Sequence, residues 1–299
     1  MTATTRSKTN KVLNTPVMTT SVLNTPEILE MILIQTDIRT LLTSAQRVCR
    51  AWSKLITSSP SIQKALYFAP IKSSEGEPNE KTLNPLLKEK FPPIFPLQDS
   101  STYDGFDFSD FNWTKDILSL TRFVRADASW RKMLIQQPPI SEIGLFSLFC
   151  AKGGDSAGLS KIPAREKNQE RNCEGLRMGR LFDILLFSHR IKFETGTTHK
   201  VYWAAETPLD LSFSYGNIND EFHKLLARFG VVLWTRHIMQ CCTGMDTPLS
   251  KSETTRREII EAYREKGVDV GSKTREIEAS RALVEDEKSL RAGPYVDVV

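Results

Sequence analysis

The sequence predicts an α+β chain: a small helical unit near the N-terminal end, a mixed α+β domain, and charged C-terminal helices. Three observations predict it. Apolar residues recur at helical spacing from residue 26 to 56. Alternating and helix-period segments interleave between about residues 100 and 250. From Lys251 to Arg291, ten basic and ten acidic residues surround sparse apolar ones. The 299 residues allow about one to three domains at roughly 100–200 residues each. A hydrophobic content of 40% excludes a wholly disordered chain, and 15 glycines exclude a collagenous one. A net charge of only +4, mixed in sign along the chain, argues against a dedicated nucleic-acid binder.

Residues 1–21 read as a disordered tail. The first 26 residues hold Arg6, Lys8 and Lys11, no acid and ten Ser or Thr. That composition faintly resembles a transit peptide, but the segment has no apolar stripe. The tail contains Val12-Leu13-Asn14-Thr15-Pro16, repeated as Val22-Leu23-Asn24-Thr25-Pro26. Only the second copy leads into a helix. Thr25 is placed to cap it, Pro26 fits the first helical position, and Glu27 suits the positive end of the helix dipole. Ile28, Leu29, Ile32 and Leu33 follow as its apolar side.

Leu41, Leu42, Ala45, Val48, Cys49, Trp52, Leu55 and Ile56 form one continuous helical stripe. Ser59-Pro60 interrupts it, and Ile62, Ala65 and Leu66 predict a third short helix. Three short helices make a small core, which commonly needs a partner to cover its apolar faces.

Residues 69–99 read as a Pro-containing linker, with 84–98 as loop or extended chain packed through Phe91 and Phe95. Residues 101–116 read as loop and 117–137 as helix, stopped by Pro138-Pro139. Ile140 to Cys150 predicts a strand, 152–174 a polar surface loop and 176–188 a helix. Residues 191–194 and 199–203 alternate around Thr195-Gly196-Thr197 and predict a hairpin. A strand is expected over 209–215, a helix over 221–228 and a strand over 231–239. Residues 251–299 read as exposed charged helices broken near Gly267–Gly271.

Five cysteines, none spaced C-x-x-C, argue against a disulfide framework. The expected compartment is therefore reducing: cytoplasm, nucleus or both. No apolar run reaches 18 residues, so no membrane partner is expected. Four histidines without paired spacing give no metal site, and no cofactor is expected.

The stretch Thr25-Pro26-Glu27-Ile28-Leu29-Glu30-Met31-Ile32-Leu33, then Asp37-Ile38-Arg39-Thr40-Leu41-Leu42, then Val48-Cys49-Arg50-Ala51-Trp52 resembles an F-box. The continuation Ser59-Pro60 to Tyr67-Phe68 is similar to the form common in filamentous fungal F-box proteins. The resemblance spans residues 22–68. The family's pattern often has Leu-Pro where Asn24 and Thr25 stand, and Leu where Thr36 stands.

The resemblance implies a non-catalytic adaptor. F-boxes dock on the Skp adaptor, which bridges to a cullin in a RING ubiquitin ligase, while the remaining chain recruits a protein substrate. It implies that Leu23, Pro26, Ile28, Leu29, Ile32, Leu41, Leu42, Val48, Cys49 and Trp52 divide between the F-box core and the adaptor face. The sequence leaves that division open. It also implies that Leu41→Asp with Leu42→Asp abolishes adaptor binding. Residues 100–250 would then be the α+β recruitment domain.

Other readings stay open: an F-box protein acting outside a ligase, or an enzyme of unrecognised class in residues 100–250. Against the enzyme, no nucleotide-binding glycine motif, H-E-x-x-H or G-x-S-x-G occurs. Asp183, Ser188 and His189 are close in sequence, which does not make a triad. Residues 161–200 carry nine Lys or Arg against five acids, a bias that basic surface loops commonly show.

Overall fold

Thr25 adopts an extended backbone and Pro26 opens the first helix where the Thr-Pro pair predicts it, but the Thr25 side chain does not make the expected cap hydrogen bond. The computed structural model describes residues 25–71, 81–95, 105–151, 154–165, 175–189, 191, 193, 196–204, 216–238, 250–283 and 290–291. Among these are eleven α-helices and two sheets, a mixed α+β chain. Contacts divide it into two units, Met1–Ala65 and Leu66–Val299. No helix of the described residues is long and apolar enough to cross a membrane.

The described part of the first unit is all helical: α1 Pro26–Ile34, α2 Ile38–Thr43, a 3-10 turn Ala45–Arg47, α3 Arg50–Ser58 and α4 Pro60–Ala65. The single stripe expected over residues 41–56 is thus two helices and a turn, and the expected three helices are four. Asp37 caps α2 by accepting from the Thr40 amide at 2.9 Å. Cys49 is extended, at φ −160° and ψ 169°, and restarts the chain as α3. These breaks re-aim the stripe, so Val48 leaves the core although its spacing fits.

The core of this unit is Leu29, Leu33, Leu41, Ala45, Ile56 and Ile62. The buried Ser59 links two of its helices. Its hydroxyl donates to Glu30 Oε1 at 2.6 Å, and its Oγ accepts from the Ile62 amide at 3.1 Å. Gln63 donates to the Ile56 carbonyl at 2.8 Å.

The second unit begins with β1 Thr82–Leu83, which pairs antiparallel with β2 Gln136–Gln137. Between them lie α5 Pro85–Lys90, α6 Ile117–Phe123 and α7 Ser129–Lys132. Asn84 caps α5 by accepting from the Leu86 and Leu87 amides, so part of the expected 84–98 loop is helix. The expected helix over 117–137 is two helices and a strand, split at residues 124–128. Four aromatic residues between 91 and 130 pack on one ring of α8 (Met178–Phe187). Phe182 lies 6.2 Å from Phe91, 6.1 Å from Phe108, 5.8 Å from Trp113 and 5.4 Å from Trp130, centroid to centroid. The expected 101–116 loop is, where described, two 3-10 turns that bury Phe108, Phe111 and Trp113.

The main sheet has the order β5-β6-β3-β4-β7, with β8 also on β4. β3 is Glu142–Ala151, β4 Gly154–Pro163, β5 Thr197–Trp203, β6 Val231–Ile238, β7 Ala282–Leu283 and β8 Leu290–Arg291. β3 and β6 are parallel and the other pairs antiparallel. β4 stands in place of loop over ten residues of the expected 152–174 loop. Its small and polar residues hide the signal, but its backbone pairs with β3 over ten residues. The expected hairpin is absent from the described residues: β5 pairs with β6, and Ile191 and Phe193 are buried outside any strand. The expected strand at 209–215 lies outside the described residues.

Alternation in β3 divides the core. Phe146 and Leu148 join Phe222, Leu225, Leu226 and Phe229 of α9 (Gly216–Phe229) on one face. Leu145 and Ser147 face Ile184 of α8 on the other. α10 (Lys251–Glu265) and α11 (Val270–Ser280) were expected to be exposed, yet they bury Ile259, Ala262, Tyr263 and Ile277. Their few apolar residues share one side, which suffices to seat a helix that is charged elsewhere.

Gly175 has φ +94°, and a Cβ there would collide with the Pro139 Cβ. Gly175→Ala should lower stability by more than about 1 kcal/mol, read as a lower urea midpoint at unchanged slope.

Candidate docking site

α1 is apolar around much of its circumference, an arrangement expected of a helix covered on more than one side. Leu29 and Leu33, four residues apart, are buried. Ile28, Met31 and Ile32, at i, i+3 and i+4, are 39%, 69% and 44% exposed. At about 100° per residue, the centre of this second stripe sits roughly a third of a turn from that of the first. Val48, between the 3-10 turn and α3, is 61% exposed. An apolar β-branched side chain held this far into water at a helix junction is suited to contact another surface.

The residues predicted from sequence therefore separate. Leu29 and Leu41 are core. Leu42 and Trp52 are half-buried, while Pro26, Ile28, Ile32, Val48 and Cys49 are exposed. Leu23 lies outside the described residues. Met31, the most exposed of the large apolar side chains on α1, was missing from the predicted set. Its signal was its spacing, three residues after Ile28.

The exposed edge of the unit is held by polar caps. The Thr40 hydroxyl and amide, both bonded to Asp37, hold its carboxyl below the ordinary value of 3.8. A depressed carboxyl contributes stability above its unfolded pKa and loses it as pH falls through the folded one. Asp37→Ala should thus melt earlier than the wild type at pH 7. The difference should vanish in acid, followed by circular dichroism.

The second unit contains a buried polar cluster of a different kind. Arg131 of α7 donates to both Asp183 oxygens at 2.7 and 2.8 Å, and Lys273 of α11 reaches Asp183 Oδ2 at 3.2 Å. Arg131 also donates to the Tyr263 hydroxyl at 2.8 Å. Burial pushes the Tyr263 phenol above its ordinary value. Arg180 bonds Glu276 at 2.6 Å and Ser280 at 3.1 Å. These bonds fasten α7, α10 and α11 to α8. The Asp183–Ser188–His189 reading fails on geometry: Asp183 is engaged by cations, and the Ser188 hydroxyl donates to Glu278 at 2.8 Å. Among the described residues, no group of three His, Cys, Asp or Glu side chains is arranged to hold a metal ion.

No family model, curated protein or solved structure matches this chain.

Proposed function

We propose that residues 22–68 form an F-box that docks on a Skp adaptor, and that the chain is a substrate-recruiting, non-catalytic subunit of a cullin–RING ubiquitin ligase. The observation that carries this reading is the exposed apolar set Ile28, Met31, Ile32 and Val48 on a small helical unit whose core is already filled by other residues. These side chains keep between 39% and 69% of their surface in water, which leaves that apolar area available to a partner. The resemblance in the same residues names the adaptor as that partner. Such a subunit acts by raising the local concentration of substrate near a charged ubiquitin-conjugating enzyme. Its compartment, in this reading, is cytoplasm, nucleus or both.

Mixing the intact chain with purified Skp adaptor and separating by size tests the reading. Co-elution as one complex is expected; separate elution at all loading concentrations would overturn it.

A further inference from the structure

The helical unit carries its charges unevenly. From Ile38 to Ala65 it has five basic residues, Arg39, Arg47, Arg50, Lys54 and Lys64, and no acid. The acids of its described part are Glu27, Glu30 and Asp37, on α1 or just beyond it. Two of these are bonded within the unit. Glu30 accepts from the Ser59 hydroxyl at 2.6 Å, and Asp37 accepts from the Thr40 amide at 2.9 Å.

Three of the cations lie around Val48 in the chain. Arg47 precedes it at the end of the 3-10 turn, and Arg50 and Lys54 follow on α3. Arg50 and Lys54 are four residues apart and share one side of that helix with the exposed Ala51, opposite the buried Ile56. All three cations are exposed, and none makes an ion pair or a side-chain hydrogen bond among the described residues. Like charges spaced as Arg50 and Lys54 are repel each other. The edge therefore joins an apolar side chain, 61% exposed, to three cations without a counter-charge. A nucleic-acid backbone would use the cations and leave Val48 in water. A protein face that is apolar at its centre and acidic around it uses both.

We infer that the adaptor face met by this edge is apolar where it receives Val48 and carries carboxylates around that point, and that Arg47, Arg50 and Lys54 steer the two proteins together. The inference rests on the docking reading and assigns to it the charge of the partner and the residues that set the rate of association. Steering of this kind speeds association at low salt. It fades as salt shortens the reach of charges, from about 30 Å at 0.01 M to about 3 Å at 1 M.

The test is the association rate of purified Skp adaptor with the intact chain at ionic strengths of about 0.01 M and about 1 M. The wild type is compared with Arg47→Gln, Arg50→Gln and with Arg47→Glu, Arg50→Glu. Expected at low salt is a graded fall, about tenfold or more for the glutamate pair and smaller for the glutamine pair. At high salt the three rates should agree within about twofold. Both sites are exposed, so both variants should keep the wild-type circular dichroism spectrum. Equal rates at low salt, or a difference that persists undiminished at high salt, would overturn the inference. Equal rates together with loss of capture by phosphatidylserine vesicles in the glutamate pair would assign the cations to a lipid surface instead. Adaptor association that ignores both variants removes this inference alone. No association by the wild type at either salt removes the docking reading and this inference with it.

Discussion

Replacing Asp183 with alanine should destabilise the second unit by about 3–5 kcal/mol, the usual cost of breaking a buried ion pair by removing one partner. The carboxylate is 1% exposed and answers two cations, Arg131 and Lys273. Its loss removes the carboxylate that both Arg131 donor bonds reach, from a guanidinium only 14% exposed that also faces Trp130 and Tyr263. Water cannot easily replace the carboxylate there, because the surrounding α8 is buried along its whole length. Asp183→Asn keeps the shape and removes only the charge, so it separates the electrostatic part from the cavity. Urea unfolding monitored by tryptophan fluorescence reads both. A change under about 1 kcal/mol for Asp183→Ala would mean that the cluster does not fasten these helices.

The second large effect concerns docking. Met31→Asp combined with Val48→Asp should weaken Skp adaptor binding roughly a hundredfold or more, because charges would enter an apolar contact at residues of hot-spot exposure. Both sites are mostly in water, so the helical spectrum should be unchanged. Leu41→Asp differs. Leu41 is 1% exposed, and an unpaired charge there costs several kcal/mol, enough to unfold a unit this small. The pair Leu41→Asp and Leu42→Asp, which the sequence alone recommends, would therefore lose adaptor binding together with the fold. The exposed pair removes the contact and spares the fold.

Elements were legible in the sequence where one local signal was strong. Thr25-Pro26 announced α1, the run from Ile143 to Phe149 announced β3, and the apolar block from Leu181 to Leu186 announced α8. β4 was not legible, because Ser156, Gly158 and Ser160 carry little β signal; its pairing with β3 decides it. α5 had a readable start in Asn84-Pro85, which shares with Thr25-Pro26 the proline at the first helical position and adds a side-chain cap, but the later prolines Pro92 and Pro93 masked it. The depth of α10 and α11 was hidden for another reason. α11 is bonded to charged residues buried on α8, Arg180 and Asp183, and Tyr263 of α10 to Arg131 of α7, partners that no periodicity reveals.

In the candidate docking site, composition and spacing could mark the apolar residues but not divide them. Leu29 and Ile28 are neighbours with nearly the same side chain, yet one is buried and the other exposed. That division depends on how α1 rotates against α3 and α4, a property of packing among three helices.

The most direct test of the account is the binding isotherm of purified Skp adaptor titrated into the intact chain, run beside the Met31→Asp, Val48→Asp variant. The account predicts a saturable one-to-one isotherm for the wild type and none for the variant at the same concentrations. An absent isotherm for the wild type, or identical isotherms for the two proteins, would contradict it.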